Sequence, residues 1–148
     1  MNMSAIDISA SGMRAQRLRM DLVANNLANV DTTSARRETL RKPDGTTWTR
    51  HIPYARKLAI FTADASGKTL VPRVVDDPAP FRAEQNPSHP HAVPADAGGQ
   101  DAGMVYHPNV HPIAEMVDMM AASRAYEANV SAVDTAKAMG AAALRILA

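Results

Sequence analysis

The sequence predicts a mainly α protein: long N- and C-terminal helices packed as a coiled-coil-like pair, with a small β-hairpin-rich central insertion and an extended Pro/Gly linker. Three observations predict it. Residues 4–30 and 113–148 contain no proline, and all ten prolines lie between them. Apolar residues recur in both end segments at spacings of three and four, the period of a helix face. The middle holds β-branched and aromatic runs separated by turn residues. The expected division is an N-terminal assembly helix over 1–31, a β-rich insertion over 32–85, an extended linker over 86–110 and a C-terminal assembly helix over 111–148.

In the first segment Ser4 can act as N-cap, with Asp7 in the first turn. Ile6, Ala10, Met13, Arg17, Met20, Ala24 and Leu27 follow a 4-3-4-3-4-3 spacing, a heptad seam that Arg17 interrupts. Ile8, Ala15, Leu18 and Leu22 form a second stripe nearly opposite, so one partner helix cannot cover both. The last segment repeats the pattern. His111 and Pro112 open a helix, proline being tolerated in the first turn. Met119, Tyr126, Val130, Val133, Lys137, Gly140 and Leu144 line one stripe, and Ile113, Val117, Ala121, Ala128, Met139 and Ile146 line another.

Between the helices, Thr46 to Thr49, Ala55 to Ala63 and Thr69 to Val75 read as strands. Pro43-Asp44-Gly45 and Ala65-Ser66-Gly67 supply turns between them. Pro87, Pro90, Pro94 and Gly98-Gly99 mark the linker.

Composition limits what such a chain can do alone. Of 148 residues 46% are hydrophobic, but 28 are Ala and only 27 are Leu, Ile, Val or Phe. At about 25 cal/mol per Å² of buried apolar surface, alanine-rich faces stabilise a lone monomer poorly, so partner chains are expected. The formal charge is +1, split unevenly: +5 over residues 36–82 and −4 over residues 83–148. Such a split suits matching between different surfaces of neighbouring copies. Without cysteine there is no disulfide or thiol chemistry. No stretch approaches the roughly 18 to 20 apolar residues of a membrane span. Met1 to Arg19 lacks the pattern of a secretory signal peptide.

Catalytic and ligand motifs are missing as well. His89 and His91, with His107 and His111, invite a metal reading, but Pro108 and Pro112 prevent the last two from sharing a regular helix face. No G-x-S-x-G, G-x-G-x-x-G or phosphate loop occurs. Asp76 and Asp77, adjacent in a strand, point to opposite faces and cannot cooperate as an acid pair. The basic run of Arg36, Arg37, Arg41, Lys42, Arg50, Arg56 and Lys57 has no aromatic stacking platform for nucleic acid. Met116, Met119 and Met120 lack His or Cys partners and suit adaptable packing. No catalytic residue, metal or cofactor is expected.

Two stretches carry more information. Ala24-Asn25-Asn26-Leu27-Ala28-Asn29-Val30-Asp31-Thr32-Thr33 ends the seam in an asparagine cluster that can close a helix. Tyr106-His107-Pro108-Asn109-Val110-His111-Pro112 leads into Glu115-Met116-Val117-Asp118-Met119 and Ala122-Ser123-Arg124-Ala125-Tyr126-Glu127-Ala128-Asn129-Val130. Together they resemble the axial rod and hook proteins of the bacterial flagellum, the second stretch being most similar to proximal rod proteins. The motif residues of the resemblance are Asn25, Asn26, Asn29, Pro108, Asn109, Glu115, Met116, Asp118, Ser123, Arg124, Tyr126 and Asn129.

The resemblance implies a structural subunit of the periplasmic, torque-transmitting rod, exported by the flagellar type III apparatus without a cleaved signal peptide. Its implied partners are copies of itself, other rod subunits, a rod-base adaptor and the export apparatus, and it raises proximity to peptidoglycan as a question. Candidate interface residues are Ile6, Met13, Leu18, Met20, Leu22 and Leu27 on the first helix, and Met119, Tyr126, Val130, Val133 and Leu144 on the second. The competing readings are a small metal-binding or catalytic protein built on His89, His91, His107 and His111, or a different rod subunit or adaptor of the same family.

Overall fold

The computed structural model describes residues 3–42, 45–63, 70–97 and 101–147. Helix α1 spans Met3–Ala28 and helix α2 spans Pro112–Leu147. Between them lie six short strands that pair two by two: β1 (Arg36–Arg41) with β2 (Thr47–Ile52), β3 (Lys57–Ala63) with β4 (Leu70–Asp76), and β5 (Arg82–Gln85) with β6 (Met104–His107). The helical ends and the paired strands between them are as expected. Three strands were not legible: β1, β5 and β6. The turn expected at Ala65-Ser66-Gly67 lies outside the described residues, as do Pro43 and Asp44.

The chain divides into two compact units. The first comprises Met1–Ala24, Leu58–Val75 and Ile113–Ala148. Two contacts set its helices side by side: Arg19 Nη2 lies 2.9 Å from Asp118 Oδ1, and Gly12 faces the Asn129 side chain. Position rises along α1 as it falls along α2, so the helices run in opposite directions. Both ends of the ion pair are more than a third exposed, so it adds little free energy and mainly fixes register.

The buried positions on α1 include Ser11, Gly12, Ala15 and Val23, and those on α2 are Glu115, Ala122 and Val133. Small side chains dominate, which brings backbones close but removes little apolar area per residue from water. Ser11 avoids an unpaired hydroxyl by donating to Ile8 O at 2.7 Å. Glu115 is fully buried in the first turn of α2, where a carboxylate faces the positive helix end. The seam read from spacing is thus not the most buried one. Ile6, Met13, Met20 and Leu27 are only half-buried, whereas Ala15 of the second stripe is fully enclosed, with Leu18 and Leu22 half-buried beside it.

The second unit comprises Asn25–Lys57 and Asp76–Pro112. In the antiparallel β1–β2 ribbon Leu40 lies opposite Trp48, Glu38 opposite Arg50 and Arg36 opposite Ile52. Pleating puts these on one face and Arg37, Thr39, Arg41, Thr47, Thr49 and His51 on the other. Leu40, Trp48 and Ile52 are half-buried, while Arg37, Thr39, Arg41, Thr47 and Thr49 are exposed.

Of the stretch 86–110, expected as an extended linker, the described residues 86–97 and 101–110 carry a set of main-chain hydrogen bonds, and Gly98 and Gly99 lie outside the described residues. Asn86 N donates to Gly103 O at 3.0 Å, Gly103 N to Val93 O at 2.9 Å, and Val93 N to Met104 O at 2.9 Å. β5 and β6 close the loop in antiparallel register, Arg82 opposite His107 and Gln85 opposite Met104. Prolines remove donors from this stretch, and the N–H groups of His89, Ala92 and Ala97 bond within it, to Asn86 O, His89 O and Pro94 O. Gly103 reverses the chain at φ +77°, a conformation side chains disfavour.

At Gly12 the two helices come close: a Cβ there would sit 2.8 Å from Asn129 Oδ1. Alanine at position 12 would gain about 1 kcal/mol of helix propensity and lose it to that clash. A double-mutant cycle of Gly12→Ala with Asn129→Ala, read by urea unfolding, is therefore expected to show a coupling of about 1 kcal/mol; zero coupling would mean that the helices do not meet at this position.

Candidate functional site

Two parts of the chain stand out, one polar and one apolar. The polar part begins where α1 ends. Asn29 N lies 3.2 Å from Asn25 O and 3.1 Å from Asn26 O, and Asn29 Nδ2 donates to Asn25 O at 2.9 Å. These bonds satisfy carbonyls that a helix end leaves without intrahelical partners. Asn26 turns inward and is buried. Its Oδ1 accepts from Lys57 N at 2.8 Å and from the Tyr54 hydroxyl at 2.9 Å, and its Nδ2 donates to Lys57 O at 3.0 Å. One side-chain amide thus occupies both main-chain groups of Lys57, as a neighbouring strand would. The Tyr54 hydroxyl also reaches Asn25 Oδ1 at 2.9 Å.

Asn109, from the other end of the chain, binds the same segment. Its Oδ1 accepts from Arg56 N at 2.9 Å, and its Nδ2 donates to Ala79 O at 3.0 Å and lies 3.4 Å from Asp77 O. Arg56 and Asp77 are further joined by a main-chain bond of 2.8 Å from Asp77 N to Arg56 O and by an ion pair of 3.3 Å. Lys57 pairs with Asp76. Residues 54–57, which precede or just enter β3, are therefore held from one side by an asparagine of the α1 terminus and from the other by an asparagine of the α2 entry. Pro108, Asn109 and Val110 are all buried. The amides of Asn26 and Asn109 engage main-chain groups of Lys57, Arg56 and Ala79, so they hold backbone in place.

The remaining motif residues are dispersed. Asp118 pairs with Arg19, Asn129 Nδ2 donates to Ala125 O at 2.7 Å, and Ser123 Oγ approaches Glu127 Oε1 at 3.5 Å. Arg124 is exposed, and Tyr126 is half-buried. Among the proposed interface residues of α2, Val133 is buried, Met119 is half-buried, and Val130 and Leu144 are exposed.

The apolar part was only partly singled out from sequence. Ile113, Met116, Val117 and Met120 are 79%, 49%, 55% and 54% exposed. Positions i, i+3, i+4 and i+7 share one face of a helix, so these four side chains form a continuous outward ridge.

The histidines separate. His107 Nε2 lies 3.5 Å from Glu84 Oε2, and His111 is exposed. His89 and His91 instead meet His51, which nothing in the local sequence links to them. Among the described residues no three His, Cys, Asp or Glu side chains are arranged to hold a metal ion, and no described helix is long and apolar enough to cross a membrane.

Residues 6–36 match the family "Flagella basal body rod protein", and residues 101–146 match "Flagellar basal body rod FlgEFG protein C-terminal". The chain is similar to the flagellar basal-body rod protein FlgC of Borreliella burgdorferi, at 35% identity over 97% of this chain and 96% of the relative. It is similar to FlgC of Bacillus subtilis at 35% identity over 96% and 95%, and to FlgC of Aquifex aeolicus at 37% identity over 90% and 88%. The two family matches contain the asparagines that meet at residues 54–57.

Removing either amide would leave a main-chain N–H without its partner. Asn26→Ala and Asn109→Ala are each expected to cost about 1–3 kcal/mol in denaturant unfolding. Asn26→Asp is expected to cost at least as much as Asn26→Ala, because, although it keeps the acceptor, it sets a carboxylate against Lys57 O. A neutral effect at both positions would show that neither amide holds this segment.

Proposed function

The chain belongs to the flagellar basal-body rod protein FlgC family, and from that premise we propose how it serves as a structural subunit of the rod. In this reading it occupies the proximal rod, leaves the cell through the flagellar type III apparatus without a cleaved signal peptide, and assembles in the periplasm. It packs there against copies of itself and other rod subunits, with a rod-base adaptor and the export apparatus as transient or terminal neighbours. The assembled rod transmits torque.

The observation that supports assembly through the helices is the exposed ridge of Ile113, Met116, Val117 and Met120. Residues 111–148 and 1–31 act as assembly helices. Nine of the enclosed positions of α2, 115, 119, 122, 126, 129, 133, 136, 140 and 143, are spaced alternately by four and three, with 112, 118, 123 and 125 half-buried beside them. That heptad spacing supports a coiled-coil-like pairing with α1 inside the subunit. The opposite ridge of α2 and the first-stripe residues Ile6, Met13, Met20 and Leu27 of α1 are then left for neighbours. A helical assembly uses heterologous contacts, so different faces meet different neighbours.

The metal-binding or catalytic alternative has no support in the side-chain arrangement described above. The test of the assembly reading is Val117→Asp in the native strain. The side chain faces outward, so the subunit should fold and be exported. Burial of an unpaired carboxylate in the rod interface is expected to abolish rod completion and swimming. Wild-type swimming by this strain would overturn the proposed interface.

A further inference from the structure

Three imidazoles separated widely in sequence come together in the second unit. The ring of His51, on β2, stacks on that of His91 with centroids 4.3 Å apart and planes at 22°. His89 meets His91 edge to face at 5.2 Å. Each ring is also tethered. Ser34 Oγ lies 2.8 Å from His51 Nδ1 and Thr33 Oγ1 lies 2.7 Å from His91 Nδ1, while His91 N donates to His89 Nδ1 at 3.0 Å. The cluster joins three stretches distant along the chain: the residues following α1, strand β2 and the proline-rich loop 87–94.

We propose that this cluster is an acid-sensitive clasp, which holds the proline-rich loop against β2 and the residues after α1 while its imidazoles are neutral and releases the loop when they take up protons. The chemistry of each contact gives the direction. A main-chain N–H can donate to His89 Nδ1 only while that nitrogen carries no proton, so an imidazolium at position 89 loses the bond. Two cationic rings cannot remain stacked at 4.3 Å without repulsion.

Among the described residues, the charges that act on His51 are those of His91, Arg37 and His89, and none is an acid. Arg37 lies directly opposite it across the ribbon, and Arg50 beside it sits over the Tyr106 ring at 6.0 Å. Tyr106 lines the same cavity as His51, and Asp101, the nearby acid, is hydrogen-bonded to Tyr106. Burial first, then the charges of His91, Arg37 and His89, hold His51 below its usual value of 6.5. A group whose value is lowered on folding contributes its stabilisation above pH 6.5, and that contribution fades as the pH falls further. The clasp does not rest on the rod reading; it would operate in any setting that moves from neutral to mildly acidic.

The experiment is hydrogen exchange on the full chain at about pH 7.5 and about pH 5, corrected for intrinsic exchange rates. Exchange at residues 88–92 is expected to rise by about tenfold at the lower pH, with the amides of α2 unchanged. The variant His51→Phe with His89→Asn keeps a stacked ring and a non-titrating acceptor for the His91 N–H. In it the acid-induced rise should disappear. A corrected rate that does not change with pH in the native chain would overturn the proposal, as would an equal rise in the double variant. Should the variant fold poorly, proton NMR of the native chain decides: the His51 ring signal must titrate below the usual range and move together with loop opening, and independent movement of the two would count against the clasp.

Discussion

The shortage of large apolar side chains governs this protein. Both terminal helices carry apolar residues on more than one side, while the positions enclosed within the subunit are mostly small or polar: Ser11, Gly12, Ala15, Ala122 and Glu115. Small residues permit a close antiparallel approach, seen at Gly12 and Asn129, but contribute little burial per position. The larger side chains Ile113, Val117 and Met120 point into solvent. A globular monomer would do the reverse. An axial subunit that must present separate faces to separate neighbours gains from this arrangement, because the energy withheld from the monomer is released on assembly.

The asparagines solve a different problem. Where α1 stops and α2 starts, the chain changes direction and its backbone loses the regular partners of helix and sheet. Asn26 and Asn109 supply those partners from their side chains, one to Lys57 and the other to Arg56 and Ala79. An amide is suited to this because it carries a donor and an acceptor in nearly the geometry of a peptide group. The Asn-rich end of α1 and the Pro-Asn-Val entry to α2 share no pattern that would link them in sequence. In the fold they serve adjacent residues of one short segment.

Much of this organisation was legible beforehand. Proline-free segments with three- and four-residue apolar spacing delimited both helices to within a few residues, since helix periodicity is local. Strand β1, Arg-Arg-Glu-Thr-Leu-Arg, escaped notice because its pattern is charged; its identity depends on pairing Leu40 with Trp48 across the ribbon. The short strands β5 and β6 likewise depend on each other across an 18-residue loop from Asn86 to Gly103, which no window of local propensity spans. Apolar spacing favoured Ile6, Met13 and Met20 as the seam, whereas burial favours a stripe containing Ser11 and Ala15. A hydrophobic template passes over buried serine, glycine, asparagine and glutamate. The motif asparagines were recognisable, but their shared target and the meeting of His51 with His89 and His91 required the fold.

The central claim is that the outer ridge of α2 is open to solvent in the free subunit and covered in the assembled rod. The absence of cysteine allows a clean measurement: a single Val117→Cys substitution gives the chain one thiol. Its rate of reaction with a water-soluble maleimide should be compared in the purified subunit and in isolated basal bodies. Rapid labelling of the free chain and protection in the basal body is the predicted result. Equal labelling in both would contradict the account.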